Sequence, residues 1–193
     1  MIAQEQDVIA RRVWQDEMRQ VDPHSLIFLD ETSTPTTLTP LRGRAPRGTR
    51  VVGRVPRGRW TNVTLVATLT PTGFGPGLHL DGAIDRDSFD TFVIAVLVPT
   101  LRPGQTIIMD NLSVHKSATA RAAIEAAGCT LTFLPTYSPD LNPIEQAFSK
   151  LKQRLRHQAA RTPERIKAAT QALYPTITAQ DARGFYRDAG YFL

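Results

Sequence analysis

The chain has a single cysteine and no long apolar run, and between Leu41 and Trp60 it has no acidic residue at all. Each absence excludes something. Cys129 alone cannot form an internal disulfide, so a reducing cytoplasm is the default compartment. With no second thiol nearby it reads as a small residue beside a strand, and a nucleophilic role has little support. The longest purely apolar stretch, "FVIAVLV" at 92–98, is far short of the roughly 20 residues a membrane helix needs. The N-terminus, "MIAQEQDVIARRVW", carries charges where a signal peptide has its apolar core. His24, His79 and His157 show no ligand spacing with one another or with Cys129, which argues against a zinc site.

What is present describes a globular protein. At 193 residues, with 41% hydrophobic and 21% charged residues, the chain is long enough to bury a substantial core and fits one domain. The net charge of +5 is concentrated. "LRGRAPRGTRVVGRVPRGRW" at 41–60 carries Arg42, Arg44, Arg47, Arg50, Arg54, Arg57 and Arg59, seven of the 23 basic residues and none of the 18 acidic ones. It contains a short repeat, Gly43-Arg44-x-Pro46-Arg47-Gly48 and Gly53-Arg54-x-Pro56-Arg57-Gly58, with "TRVV" between as a short strand. Arginine gathered this way beside Trp60 suits phosphate contacts on a nucleic acid better than a merely solvated loop.

Periodicity predicts a helix over 5–19 with Val8, Val13 and Trp14 as its apolar positions. Strands are expected at "SLIFLDE" (25–31), "TNVTLVATLT" (61–70) and, after a turn at "PTGFGPG", "GLHLDGAI". "DRDSFDTFVIAVLVPTL" reads as a helix burying Phe89, Phe92, Val93, Val96 and Leu97. The strand "QTIIMDN", the helix "SATARAAIEAAG" capped by Ser117, and the strand "TLTFLP" follow. Helices are expected from Asn142 and from near Thr162 and Thr178. Three early strands followed by alternating helices and strands imply an α/β fold: a mixed five-stranded sheet with helices on both faces, compatible with a ribonuclease H-like fold among others.

Two acids stand where apolar strands end, Asp30 after "LIFL" and Asp110 after "TIIM". A carboxylate there is costly unless a cation compensates it, although a turn Asp bonding the following backbone is the simpler alternative. Glu145 is third. It falls three residues after Asn142, the capping-box position, and Pro143 suits the first helical turn. Helical phase also places Glu145 on one stripe with Ser149, Lys152 and Arg156, next to a buried stripe of Ile144, Phe148, Leu151 and Leu155. A few carboxylates together with substrate phosphate are the usual ligands of Mg²⁺. His115 and Lys116 follow Asp110 closely; His115 is either a loop residue packed on the sheet edge or a phosphate contact.

The blocks "FLDET", "MDNLSVHK" and "FLPTYSPDLNPIEQAFSKLK", with 34 residues between Asp110 and Glu145, resemble the three catalytic blocks of mariner-type DDE transposases, specifically the bacterial insertion-sequence branch. The resemblance runs from about Leu26 to Phe192 and implies a ribonuclease H-like domain that cuts and rejoins DNA with two Mg²⁺ or Mn²⁺ ions. It implies that Asp30, Asp110 and Glu145 form the acidic triad, with Asp30 bridging both ions. Residues 1–20 are then an N-terminal helix and linker, and 21–193 the catalytic domain, its core ending near 160. DNA is the expected partner, bound through the seven arginines, His115, Lys116, Lys152 and Arg156. A homodimer in the DNA complex and a bacterial cytoplasmic, nucleoid-associated location are expected, with no membrane partner. Such transposases carry helix-turn-helix modules ahead of the triad, and 29 residues before Asp30 are too few for two. A separate helix-turn-helix polypeptide is therefore expected, the chain being a second reading frame or a truncated copy. The alternatives are a metal-dependent nuclease that cuts without joining and an inactive DNA-binding remnant.

Overall fold

A computed structural model describes residues 6–112 and 115–192. Five strands form one sheet in the order β3-β2-β1-β4-β5, with β1 at Leu26–Pro35, β2 at Asn62–Thr70, β3 at Gly73–Asp81, β4 at Thr106–Met109 and β5 at Thr130–Phe133. The first three strands pair antiparallel; β4 and β5 run parallel to β1. The sheet is therefore mixed, as the order of elements implies.

Alternation along β1 divides the core. Leu26 and Phe28 point to one face, Leu29 to the other, as the two-residue period of a strand requires. The first face is covered by α1 (Val8–Met18), α4 (Pro143–Gln158) and α6 (Ala179–Asp188), which contribute Trp14, Ile144, Phe148, Leu151, Leu155 and Tyr186. The second is covered by α2 (Arg86–Phe92), the wider turn that continues it over Val93–Leu97, and α3 (Ala118–Ala126). A further helix, α5 (Pro163–Leu173), is capped by Thr162, and α6 begins with a reciprocal capping box between Thr178 and Asp181.

Several expectations need correction. The first helix is capped by Asp7, whose carboxylate accepts from the N–H groups of Ile9 and Ala10; residue 5, where it was expected to begin, lies outside the described residues. Of its apolar positions only Trp14 is buried, while Val8 and Val13 are about half exposed. Strand β3 begins at Gly73 rather than after the glycines, leaving only Pro71 and Thr72 in the turn. These glycines serve close packing: a Cβ at Gly77 would come within 2.6 Å of the Tyr174 hydroxyl. "TRVV" forms no strand, and residues 41–60 are an exposed, irregular connection between β1 and β2.

Tyr186 ties α6 to the sheet. Its fully buried hydroxyl lies 2.9 Å from the carbonyl oxygens of both Leu26 on β1 and Leu69 on β2. Tyr186→Phe keeps the ring and leaves both acceptors without that donor. It is expected to lower unfolding stability by about 1–2 kcal/mol, read from urea denaturation with an unchanged m-value.

Candidate active site

Strands β1 and β4 are parallel neighbours with Phe28 opposite Ile108. Two residues beyond that pair lie Asp30 and Asp110, so two apolar runs deliver carboxylates to the same place; β4 ends there, but β1 does not close at Asp30 as expected and continues to Pro35, paired with β2. Helix α4 packs across this end on the Phe28 face and brings Asn142 and Glu145. Asp30, Asp110, Asn142 and Glu145 line one cavity of about 380 Å³, walled on its far side by the loop 134–139. The three acids singled out in the sequence are thus brought together.

The capping-box alternative for Glu145 does not hold. Asn142 occupies the cap position of α4, but no side-chain capping bond forms there. The Asn142 Nδ2 instead donates to Asp30 Oδ2 at 2.7 Å, and Glu145 is left facing the cavity. Of the four bases that follow, Lys150 pairs with Asp181 and Arg154 donates to the Thr176 carbonyl, so both hold α4 to the segment leading into α6. Lys152 and Arg156 lie on the Glu145 stripe, both partly buried.

Of the two alternatives for His115, a packed loop residue or a phosphate contact, the arrangement is the packed one: it is fully buried and lies against Phe89. Its Nδ1 lies 2.6 Å from Asp110 Oδ1 and its Nε2 lies 2.9 Å from Glu31 Oε2. Both ring nitrogens are occupied by carboxylates, so a phosphate contact is excluded in this arrangement. Lys116, beside it, is exposed, as are all seven arginines of 42–59; the structure does not gather those arginines at the acid cavity. Glu31 and Asn142 are the residues that sequence reasoning passed over. Glu31 follows Asp30 directly, so alternation puts its side chain on the opposite face, and the His115 bridge reconnects that side chain to Asp110. Asn142 carried the competing signature of a helix cap.

The electrostatics are those of an under-compensated anionic site. Burial pushes the Asp30 carboxyl up to about 8, and the neighbouring charges of Glu31, Asp110 and Glu145 add to this against the N–H of Glu31. Partial burial also raises Glu145; Asp110 and Glu31 push the same way while Lys152 opposes them. Burial lowers His115, but its bonds to Asp110 and Glu31 and their charges outweigh that, lifting it to about 10. Lys152 is lowered by burial, and by Arg156, against the pull of Glu145. The oxygen donors suit a hard divalent cation, and the raised Asp30 marks negative charge that such a cation would neutralise. Among the described residues no three potential ligands stand close enough to form a ready-made metal cluster.

Linkage gives these shifts a sign. The folded chain keeps the Asp30 proton that an unfolded chain releases near pH 4, and stability from that proton is lost as pH rises through about 8. Protonated His115 contributes stability that is complete below about 6.5 and lost as pH rises through about 10. Metal-free protein is therefore expected to lose stability steadily from pH 5 to pH 9. Asp30→Asn should flatten the fall between pH 5 and 8 and raise stability at pH 8 by a few kcal/mol, on the order of 1.4 per pKa unit. Urea midpoints measured across this range check it; parallel pH profiles for both proteins would contradict it.

Residues 25–167 match the family described as DDE superfamily endonuclease. Among curated proteins none matches by sequence. Among solved structures, the pre-cleavage Mos1 transpososome superposes with a TM-score of 0.77 at 14% identity, covering 98% of this chain and 61% of that one. The Mos1 mariner paired-end complex with Mn gives 0.77 at 16% identity, with coverages of 98% and 61%. The isolated catalytic domain of Mos1 mariner transposase gives 0.67 at 14% identity, covering 94% of this chain and 83% of that one. The chain thus spans about three fifths of the length of the transposase chains in the first two structures. Among the described residues no helix is long and apolar enough to cross a membrane. With three acidic blocks converging where β4 ends beside the middle of β1, on a ribonuclease H-like sheet shared with Mos1, the chain belongs to the DDE superfamily endonuclease family.

Proposed function

We propose that this chain is the catalytic domain of a mariner-type transposase of the bacterial insertion-sequence branch, cleaving DNA at element ends and joining the freed 3′-hydroxyl to a target. The observation that carries this reading is the convergence of Asp30, Asp110 and Glu145 on one cavity. Residues 21–193 are taken as the catalytic domain, preceded by the helix and linker of 1–20. Asp30, Asp110 and Glu145 would hold two Mg²⁺ or Mn²⁺ ions, supported by their oxygen chemistry and by the Mos1 complexes solved with Mn and with Mg. Bound there, the ions supply Lewis-acid stabilisation of charge developing on attacking and leaving oxygens. A cation held by these acids would also lower the pKa of the attacking hydroxyl, so no protein general base is needed.

The remaining residues position the polyanion. Lys152 and Arg156, on the Glu145 stripe, would take phosphates of the strand entering the cavity. The seven exposed arginines of 42–59 and Lys116 would hold flanking duplex by phosphate contact, which positions DNA without reading its sequence. A helix-turn-helix polypeptide would supply recognition of the element ends, and a second copy of this chain would complete a paired-end assembly, as the solved Mos1 paired-end complexes suggest. The compartment proposed is the bacterial cytoplasm, with the protein associated with the nucleoid.

Alanine at Asp30, Asp110 or Glu145 should reduce Mg²⁺-dependent cleavage of duplexes carrying the terminal repeats to background while the chain stays folded. Glu145→Gln should be as inactive, with stability within about 0.5 kcal/mol of the parent, because it breaks no capping bond. Pre-cleaved ends separate joining from cutting: strand transfer by the parent chain supports a transposase, and cleavage without joining assigns a nuclease of the same fold. Neutralising Arg44, Arg47, Arg54 and Arg57 together should weaken binding to repeat and scrambled duplexes alike and flatten the salt dependence. A repeat preference on the order of 10³-fold in the isolated chain would show that it reads bases itself.

A further inference from the structure

The Asn142 side chain lies where a helix cap belongs and does not cap. Its backbone has the extended geometry of a cap residue, φ −109° and ψ 95°, yet the first-turn N–H groups of α4 receive nothing from its side chain. The side chain is 4% exposed and turned toward the acids. Its Nδ2 donates to Asp30 Oδ2 at 2.7 Å, while the other oxygen, Asp30 Oδ1, accepts from the Glu31 N–H at 2.7 Å. The Asp30 carboxylate is therefore held at both ends. On the amide's other side, the Asn142 Oδ1 is buried and has no hydrogen-bond partner among the described residues. Asn142 lines the same cavity as Asp30, Asp110 and Glu145. Leaving a carbonyl oxygen buried without a donor is unfavourable, and so is forgoing a cap. The fold accepts both at one residue, and what it obtains is a fixed Asp30.

We propose that Asn142 is a positioning residue for the phosphoryl transfer: its Nδ2 fixes the Asp30 carboxylate in the orientation a divalent cation would need. With Asp30 ionised, as it would be when holding a cation, the orientation of the amide follows from its neighbour, since the reverse placement would set two acceptor oxygens against each other. The inference rests on the proposed metal-dependent DNA chemistry and adds a residue to it.

Asn142→Ser separates this role from a structural one, because serine is a competent cap but too short to span to Asp30. The full chain is titrated with Mn²⁺ alone, followed by electron paramagnetic resonance, and is then assayed for cleavage at saturating Mn²⁺. The variant is expected to unfold at or above the parent's midpoint and to bind Mn²⁺ about 10- to 100-fold more weakly, as loss of a group orienting a metal ligand does. Its kcat should fall at least tenfold with KM for DNA unchanged. Parental Mn²⁺ affinity in the folded variant overturns the proposal, whatever the rate. Should Asn142→Ser not fold, Asn142→Asp carries the test: it keeps the shape but lacks the amide donor, so parental cleavage by it overturns the proposal. A parent chain that neither binds Mn²⁺ nor cleaves fails at the earlier step, removing the proposed function and this inference with it.

Discussion

The site depends on one pairing, the parallel contact between β1 and β4 with Phe28 opposite Ile108. Each strand is apolar until it reaches its aspartate, so alignment places two carboxylates side by side where β4 ends and β1 runs on beside β2. Outside the carboxyl ends of parallel strands the backbone leaves a crevice, the usual ligand position in open α/β sheets. Here the crevice is filled with like charge. Burial and repulsion raise Asp30 to about 8, and the surrounding residues make sense as responses to that unfavourable field. His115 sits between Asp110 and Glu31 as a buried cation. Asn142 gives up its cap to donate to Asp30.

Helix α4 divides its work by phase. One stripe, Ile144, Phe148, Leu151 and Leu155, fills the core against the sheet. Lys150 and Arg154 turn to Asp181 and the Thr176 carbonyl, so two of its four bases secure the C-terminal helices. Lys152 and Arg156 remain on the Glu145 stripe, with Lys152 near enough to act on the Glu145 carboxyl. A single basic helix therefore serves both cohesion and the site, and counting its charges alone would overstate what is free for a polyanion. The arginines of 42–59 differ in kind. They sit on an irregular connection between β1 and β2, fully exposed, where charge contributes little to the fold and is free for an external partner.

The N-terminal helix adds a tie to the cavity wall. Arg11 makes a two-bonded ion pair with Asp140, at 2.9 and 2.6 Å, and the Gln6 side chain donates to the Tyr137 carbonyl at 2.8 Å. Tyr137 has a φ of 54°, a left-handed conformation uncommon for a side chain of its size. Trp14, the one buried residue of α1, donates its indole N–H to the Tyr191 hydroxyl, which in turn donates to the Leu141 carbonyl. The loop facing the acids is thus held from outside the cavity by α1. Asp140 owes its ion pair to a partner 129 residues away in the chain.

Local chemistry was enough to determine much of this protein. Apolar runs ending in Asp30 and Asp110, the phase of Glu145 relative to Ile144 and Phe148, and the caps at Ser117, Thr162 and Thr178 all depend on near neighbours and could be read from the chain. Strand β3 could not, because its glycines mimic a turn until Tyr174 and Ile177 arrive from the C-terminal segment to press on them. The same holds for the half-exposed valines of α1, whose periodicity promised a buried face that only Trp14 uses. At the site, sequence placed the acids at element ends, while tertiary structure decided what each one touches. Whether Asn142 caps a helix or holds Asp30, and whether His115 meets phosphate or bridges Asp110 to Glu31, turns on contacts across 112 and 84 residues of chain. Such contacts exist only once the strands have paired, so no local pattern could announce them.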